Sequence, residues 1–235
     1  LFPRGVEQLP GALLRAGLAD AIGARRAGRV ASPPYDPRRD PATGVLNPTG
    51  LRDYALDLAE AVADVLDYGD FPIALGGDCS IVLGTMLALR RRGRYGLLFI
   101  DAHADFYQPE AEPNGEAASM DLALVTGRGP DLLTDIEGRG PLVREDDVVQ
   151  FGRRDAHGRD SRCARDPRGR RGVQSAADAR RAADAGRIVG FFPPAERVLA
   201  DSRGHAPFFH GLPQVRASHG HPGDHGGFAV HVLSR

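Results

Sequence analysis

The spacing of apolar residues along the chain predicts an alternation of helices and strands. In residues 51–66 the apolar side chains recur with the i, i+3, i+4, i+7 spacing of an amphipathic helix. Two short apolar runs, 71–77 and 95–100, end in glycines or an aspartate and predict buried strands. Between them, residues 80–93 predict a helix that we expect Ser80 to cap.

The following residues continue this alternation. Residues 119–127 predict a short helix, and residues 145–155 predict a third strand. Strands that alternate with helices indicate an α/β fold in which helices cover both faces of a parallel sheet. The Pro- and Gly-rich residues 28–50 predict a surface loop.

The chain changes composition near residue 155. Residues 156–235 are rich in Arg, Gly, His and Pro and have little apolar periodicity. We therefore divide the chain into an α/β domain over 1–155 and an atypical tail over 156–235 that we expect to be poorly ordered. Within the tail, residues 187–192 predict only weak strand pairing, and no other strand is expected.

The overall charge and composition narrow the function classes. A formal net charge of −1 gives no positive field that would attract nucleic acid. No apolar run approaches the roughly 20 residues that a membrane-spanning helix needs. Two cysteines and the lack of a signal-peptide core fit a reducing compartment, so we expect a cytoplasmic protein that binds neither nucleic acid nor a membrane.

The strongest chemical signal comes directly after the second predicted strand, where the sequence reads DAHAD. If the strand continues through this segment, its period of two places Asp101, His103 and Asp105 on one face. Two carboxylates and an imidazole that converge disfavour one another unless a cation lies between them, so the pattern favours a divalent metal site. The alternative is a charged strand end that meets only water.

A second polar segment, LGGDCS at 75–80, follows the first predicted strand. In open α/β sheets, ligands bind at the carboxyl ends of the strands. We therefore expect Cys79 to lie within coordinating reach of Asp101. The alternative is that Cys79 is a small buried apolar residue, as most free cysteines are.

Together these segments resemble the ureohydrolase family, which includes arginase, agmatinase and formiminoglutamase. LGGDCS resembles the family's Gly-Gly-Asp-His-Ser motif, DAHAD matches Asp-Ala-His-x-Asp, and NGEAASMDLA at 114–123 is similar to the loop that lines the substrate pocket. The resemblance spans roughly residues 1–155. It implies a three-layer α/β/α fold with a pair of Mn(II) ions, whose hydroxide hydrolyses a non-peptide C–N bond in a guanidino compound such as arginine or agmatine, or in another linear amidine.

The resemblance also implies roles for individual residues. Asp101 would bridge the two ions, Asp105 would bind one and His103 the other, so Asp101 and His103 are the candidate catalytic residues. Asn114 and Glu116 are the candidate substrate-binding residues. The expected partner is the small substrate, and a homo-oligomer remains open.

Two departures from the family's motifs change the expected chemistry. Cys79 stands where the family's first ion takes a histidine, and because a thiolate is softer than an imidazole it favours Zn or Fe over Mn(II). The family also has a later strand ending in Ser/Leu-x-Asp-x-Asp that completes both metal sites, and no segment after residue 155 reads this way. We therefore expect this chain to turn over amidines poorly or not at all.

Other functions stay open at this point. One is a single-metal amide hydrolase on the same general fold, like the deacetylases, whose zinc is held by Asp, His and Asp. Another is an inactive relative that binds a metal or a partner protein. A histidine-rich metal-binding tail over 219–227 is a further alternative source of the missing ligands.

Overall fold

The computed structural model describes residues 8–152, 188–191 and 229–235. The predicted helices over 51–66, 80–93 and 119–127 correspond to α3, α4 and α5 below, and the three predicted strands correspond to β2, β3 and β4. The helices are α1 (Leu9–Arg15), α2 (Leu18–Ala21), α3 (Pro48–Asp67), α4 (Ile81–Arg90), α5 (Asp121–Val125) and α6 (Asp131–Thr134). The strands are β1 (Arg25–Ala31), β2 (Pro72–Leu75), β3 (Gly96–Ile100), β4 (Val148–Phe151), β5 (Ile188–Phe191) and β6 (Ala229–Ser234).

Helices α3 and α4 form the centre of the hydrophobic core. Helix α3 begins after Asn47, whose side-chain oxygen accepts a hydrogen bond from the Gly50 N–H at 3.3 Å. Pro48 fits the first turn of α3, where its missing N–H has no intrahelical partner to lose. The two helices pack so closely that a Cβ added at Gly84 would lie 2.7 Å from the Leu58 Cβ.

The described strands form two three-stranded sheets. The first has the order β4–β3–β5, and both pairs in it are parallel, which confirms a parallel sheet that contains the predicted strands β3 and β4. The prediction is wrong for β2, which pairs with β6 in the other sheet. Leu98 of β3 pairs with Val149 on one side and with Gly190 on the other. The second sheet has the order β1–β6–β2 and is antiparallel throughout.

The sequence prediction is wrong at two strands. Strand β1 begins at Arg25 and continues to Ala31, into the segment 28–50 that the Pro and Gly content predicts as a loop. Strand β6 lies in the tail, where no strand beyond the weak pairing over 187–192 is predicted; β5 confirms that pairing. The reason for β6 is the alternation of Val230 and Val232, whose side chains are buried at the centre of the antiparallel sheet.

The proposed division at residue 155 stays a prediction, because most of the tail lies outside the described residues. This includes the histidine-rich stretch 219–227. Within the part of the chain that the structure describes, no helix combines the length and the apolar character that a membrane span requires.

Candidate metal centre

The turn between β2 and α4 places Cys79 close to the carboxyl end of β2. A Cβ added at Gly76 would lie 2.6 Å from two carbons of the Ile81 side chain, so the chain can leave β2 here only with a residue that lacks a Cβ. Ser80 precedes α4, but its hydroxyl donates to Asp78 Oδ1 at 2.6 Å and does not cap the helix. The predicted cap is therefore wrong, because Ser80 has the helical backbone angles φ −60° and ψ −16° and its hydroxyl oxygen accepts no N–H of α4.

The ligand atoms of Cys79, Asp101 and Asp105 form one cluster in which all lie within 4.8 Å of one another. The Cys79 thiol donates to Asp101 Oδ2 at 3.7 Å, and both carboxylates are buried. Cys79 also packs against the hydrophobic core, but its sulfur faces the carboxylate rather than an apolar cluster. Sulfur and carboxylate oxygen are donor atoms that bind divalent transition metals.

His103 does not join this cluster. Strand β3 ends at Ile100, and Asp101 Oδ1 accepts a hydrogen bond from the His103 N–H at 2.8 Å, which turns the chain. Asp105 follows with a positive φ of 46°. The imidazole of His103 is 64% exposed, with its Nδ1 3.6 Å from Asp101 Oδ1. The prediction that these residues share one strand face is wrong, because the strand stops before they begin; the turn nevertheless brings the two carboxylates together.

A third carboxylate, that of Asp121, lies beside the cluster at the start of α5. Its Oδ1 accepts a hydrogen bond from the Leu122 N–H at 2.9 Å, whereas its Oδ2 has no hydrogen-bond partner. Burial, followed by repulsion from Asp105, raises the pKa of Asp121 well above its usual range. Burial, together with the carboxylates of Asp121, Asp105 and Asp101, also raises the pKa of the Cys79 thiol. The centre therefore concentrates acidic groups away from water.

The candidate substrate-binding residues lie on the loop 112–116, which Glu112 holds in place. The Oε2 atom of buried Glu112 accepts hydrogen bonds from the N–H groups of Asn114 at 2.6 Å, of Glu116 at 3.1 Å and of Gly115. Asn114 is exposed and Glu116 is half-buried, and neither belongs to the ligand cluster. Their substrate contacts stay predictions.

Arg39 is a second clamp on this part of the chain, because it hydrogen-bonds to backbone carbonyls on both sides of it. Its guanidinium donates to the carbonyl of Gly44 at 2.8 Å, of Pro109 at 2.6 Å and of Pro113 at 3.4 Å. The side chain therefore ties the segment before α3 to the chain that follows Asp105. Arg39 and Glu112 together fix this loop from both sides.

The sequence patterns missed both Asp121 and Glu112. A signal existed for Asp121, because it is the one acidic residue within the apolar run MDLALV, and acidic residues are rarely fully buried without a partner. Glu112 had no such signal, since its partners are backbone N–H groups that only the loop conformation brings together.

Comparisons with known proteins point to one family. The Arginase family model matches residues 45–183, which is more than half of the chain. The arginase of Brevibacillus brevis is 39% identical over 99 residues, covering 42% of this chain and 33% of the relative. The arginase of Bacillus caldovelox is 40% identical over 96 residues, covering 40% of this chain and 32% of the relative. The chain thus spans about a third of the length of these curated relatives.

Solved structures agree with this assignment. The arginase of Bacillus cereus superposes with a TM-score of 0.55 at 25% identity, covering 80% of this chain and 59% of that chain. The arginase of Entamoeba histolytica in complex with L-ornithine has a TM-score of 0.56, covering 77% of this chain and 63% of that chain, and at 22% identity it shows the fold alone. These arginases have a three-layer α/β/α fold, which confirms the predicted fold class. The chain belongs to the arginase family.

Proposed function

We propose that this chain carries the metal centre of an arginase-family hydrolase that cleaves a non-peptide C–N bond in a guanidino compound or another linear amidine. The observation that carries the proposal is the convergence of the Cys79, Asp101 and Asp105 ligand atoms within 4.8 Å. Family membership supports the reaction class. The L-ornithine complex of the Entamoeba relative supports a small substrate built like a basic amino acid.

The side chains present fit a divalent cation. Asp121 Oδ2 is buried without a hydrogen-bond partner, and the charges that act on this carboxylate most strongly are those of Asp105, Asp78 and Asp101. A buried carboxylate without a partner is costly, and a cation offsets that cost. Cys79, Asp101 and Asp105 would hold the ion, which when bound supplies the Lewis acidity that activates water for hydrolysis.

The remaining candidate residues have separate tasks in this proposal. The exposed imidazole of His103, with Nδ1 3.6 Å from Asp101 Oδ1, is placed to move a proton between the centre and solvent. Glu116 and Asn114, on the clamped loop 112–116, would contact the substrate, and a carboxylate there favours a cationic guanidinium. We also propose a cytoplasmic protein without nucleic-acid or membrane partners, on its near-zero net charge and low cysteine content.

The metal is proposed to be a single ion. Within the described residues, the cluster supplies three donors, and the Mn(II) pair of the family would require His103 to turn inward. Because the Cys79 thiolate is a soft ligand, Zn(II) or Fe(II) is favoured over Mn(II). The variant Cys79→His should shift the ratio of affinities toward Mn(II), as measured by competition between the two ions.

The three-donor cluster also favours a second candidate function, a single-metal amide hydrolase in which Cys79 would take the place of the histidine ligand. Such an enzyme needs one ion and three protein ligands, which is the number that the cluster offers. Release of acetate from acetylated amines, without release of urea from guanidino compounds, would identify this function.

The proposal is tested by metal binding first and by turnover second. Isothermal titration of the purified chain with Zn(II) and Mn(II) should give one bound ion per chain, and Asp105→Ala should abolish it. Urea release from arginine, agmatine and guanidino acids should stay far below the ordinary enzyme range of about 1–1000 per second. Absence of any metal binding would contradict the proposed site. Turnover in the ordinary range that Asp105→Ala abolishes would instead contradict the expected low activity.

A further inference from the structure

Asp121 has a burial that its contacts within the protein do not explain. Its side chain is 0% exposed, and one of its two carboxylate oxygens has no hydrogen-bond partner. Buried polar atoms are almost always hydrogen-bonded, and a carboxylate loses more on burial than a neutral group does. An unpartnered oxygen in such a place points to a ligand that completes it.

The surroundings of Asp121 indicate the charge of that ligand. The Leu122 N–H donates to the Asp105 carbonyl at 3.1 Å, so the start of α5 lies directly against the Asp105 turn. The Asp121 carboxylate repels those of Asp105, Asp78 and Asp101. A group that lowers the energy of all these carboxylates at once must be positively charged.

We propose that Asp121 supplies the additional negative charge for a divalent cation held by Cys79, Asp101 and Asp105. The inference rests on the proposed function, since it takes those three residues as the ligands. It assigns to the buried first residue of α5 an anionic contribution to the same ion. Asp101, Asp105 and the Cys79 thiolate together carry three negative charges, and Asp121, which lies outside this three-residue cluster, adds a fourth beside the divalent ion.

The competing explanation is that Asp121 is a neutral carboxylic acid that only fills space. The two explanations differ for the isosteric change Asp121→Asn. If the residue is a neutral filler, the amide replaces it without effect on metal binding. If it supplies charge to a cation, the amide weakens metal binding. Under either explanation the amide should stabilise the metal-free chain, because it removes the cost of burying an acidic group.

The experiment compares the wild-type chain, Asp121→Asn and the matched control Asp131→Asn. Asp131 is also the first residue of a short helix, but it is exposed. Zn(II) and Mn(II) affinities are measured by titration, and melting temperatures are measured by circular dichroism in EDTA. For Asp121→Asn we expect affinity to fall by about 10- to 100-fold, the loss typical of removing a group that supports a metal ligand, and the melting temperature in EDTA to rise. Asp131→Asn should change neither quantity.

The outcomes separate this inference from the proposed function. A wild-type chain that binds neither ion would overturn both. Metal binding by the wild-type chain with equal affinity in Asp121→Asn would overturn the role of Asp121 alone. Should Asp121→Asn not fold cooperatively, the smaller neutral variant Asp121→Ser provides the same comparison of affinities.

Discussion

Removing the carboxylate of Glu112 should loosen the loop that carries Asn114 and Glu116. One oxygen of Glu112 accepts three backbone N–H bonds in this loop. Hydrogen bonds to a charged acceptor contribute about 1.5–3 kcal/mol each. The three bonds share a single oxygen, and the N–H of exposed Asn114 can instead donate to water. We therefore expect Glu112→Ala to lower the free energy of unfolding by about 3 kcal/mol, which is less than the sum of three separate bonds. Since a neutral acceptor is about half as strong, Glu112→Gln should lower it by about 1.5 kcal/mol.

Urea unfolding followed by far-ultraviolet circular dichroism measures this change, which suits a chain that has no Trp. The matched control is Glu110→Gln, an exposed position two residues before Glu112 that should stay within about 0.5 kcal/mol of the wild-type chain. Amide hydrogen exchange provides a local readout, because the N–H groups of Asn114, Gly115 and Glu116 should exchange faster in the Glu112 variants. Equal stability of Glu112→Gln and Glu110→Gln, with unchanged exchange at these three amides, would refute the reasoning.

Two further predictions concern the packing and the charge pairs of the fold. Gly84→Ala should lower the free energy of unfolding, because the new Cβ would lie 2.7 Å from the Leu58 Cβ. The overpacking cost of about 1–3 kcal/mol exceeds the helix-propensity gain of about 1 kcal/mol. Urea unfolding measures the change. The hydrogen bonds from Arg91 hold the pKa of Glu137 below its ordinary value of 4.5. Their contribution to stability is therefore present above about pH 4.5 and lost as the pH falls through the lowered pKa. The free energy of unfolding, measured across this range, should decrease less on acidification in Arg91→Met than in the wild-type chain.

Each of these predictions has a control within the chain. Gly11→Ala places its Cβ near only the flexible end of Arg15, at 3.2 Å from Nη1, and should be neutral or stabilising. A destabilisation as large as that of Gly84→Ala would contradict the packing argument. For the ion pair, Arg15→Met should show the same decrease in the free energy of unfolding on acidification as the wild-type chain. If this decrease became smaller by the same amount in both variants, the assignment to Arg91 would be contradicted.

The elements with strong local patterns could be predicted from the sequence. Helix α3 follows from the apolar spacing of residues 51–66, and β3 follows from a run of apolar residues that ends at a charged one. The sequence also predicts that Cys79 lies within coordinating reach of Asp101, and Cys79 Sγ does lie 3.7 Å from Asp101 Oδ2, although β2 and β3 belong to different sheets. These predictions succeed because burial of an apolar face determines both the element and its ends.

The predictions that failed depend on interactions outside the local pattern. The period of two fails at Asp101 because its own side chain accepts the His103 N–H and turns the chain, a competition that aspartates often win at strand ends. Strand β6 was missed because it is short and is stabilised by pairing with β1 and β2, which lie far away in the sequence. The alternation of Val230 and Val232 is typical of a strand, but the Arg-, Gly-, His- and Pro-rich composition of residues 156–235 favours a segment without one.

Arg39 and Glu112, the two clamps, act on the segment 105–121, and the charges at the ends of this segment give a physical reason for them. Asp105 lies at one end of this segment and Asp121 at the other, and the bond from the Leu122 N–H to the Asp105 carbonyl holds the ends together. Their carboxylates repel each other and are buried, so the segment would open without compensation. Glu112 and Arg39 supply that compensation in the middle of the segment, through bonds to backbone groups that do not depend on any ion. The clamps therefore keep the acidic groups in place against their own repulsion, so that the proposed cation would meet a centre that needs little rearrangement to bind it.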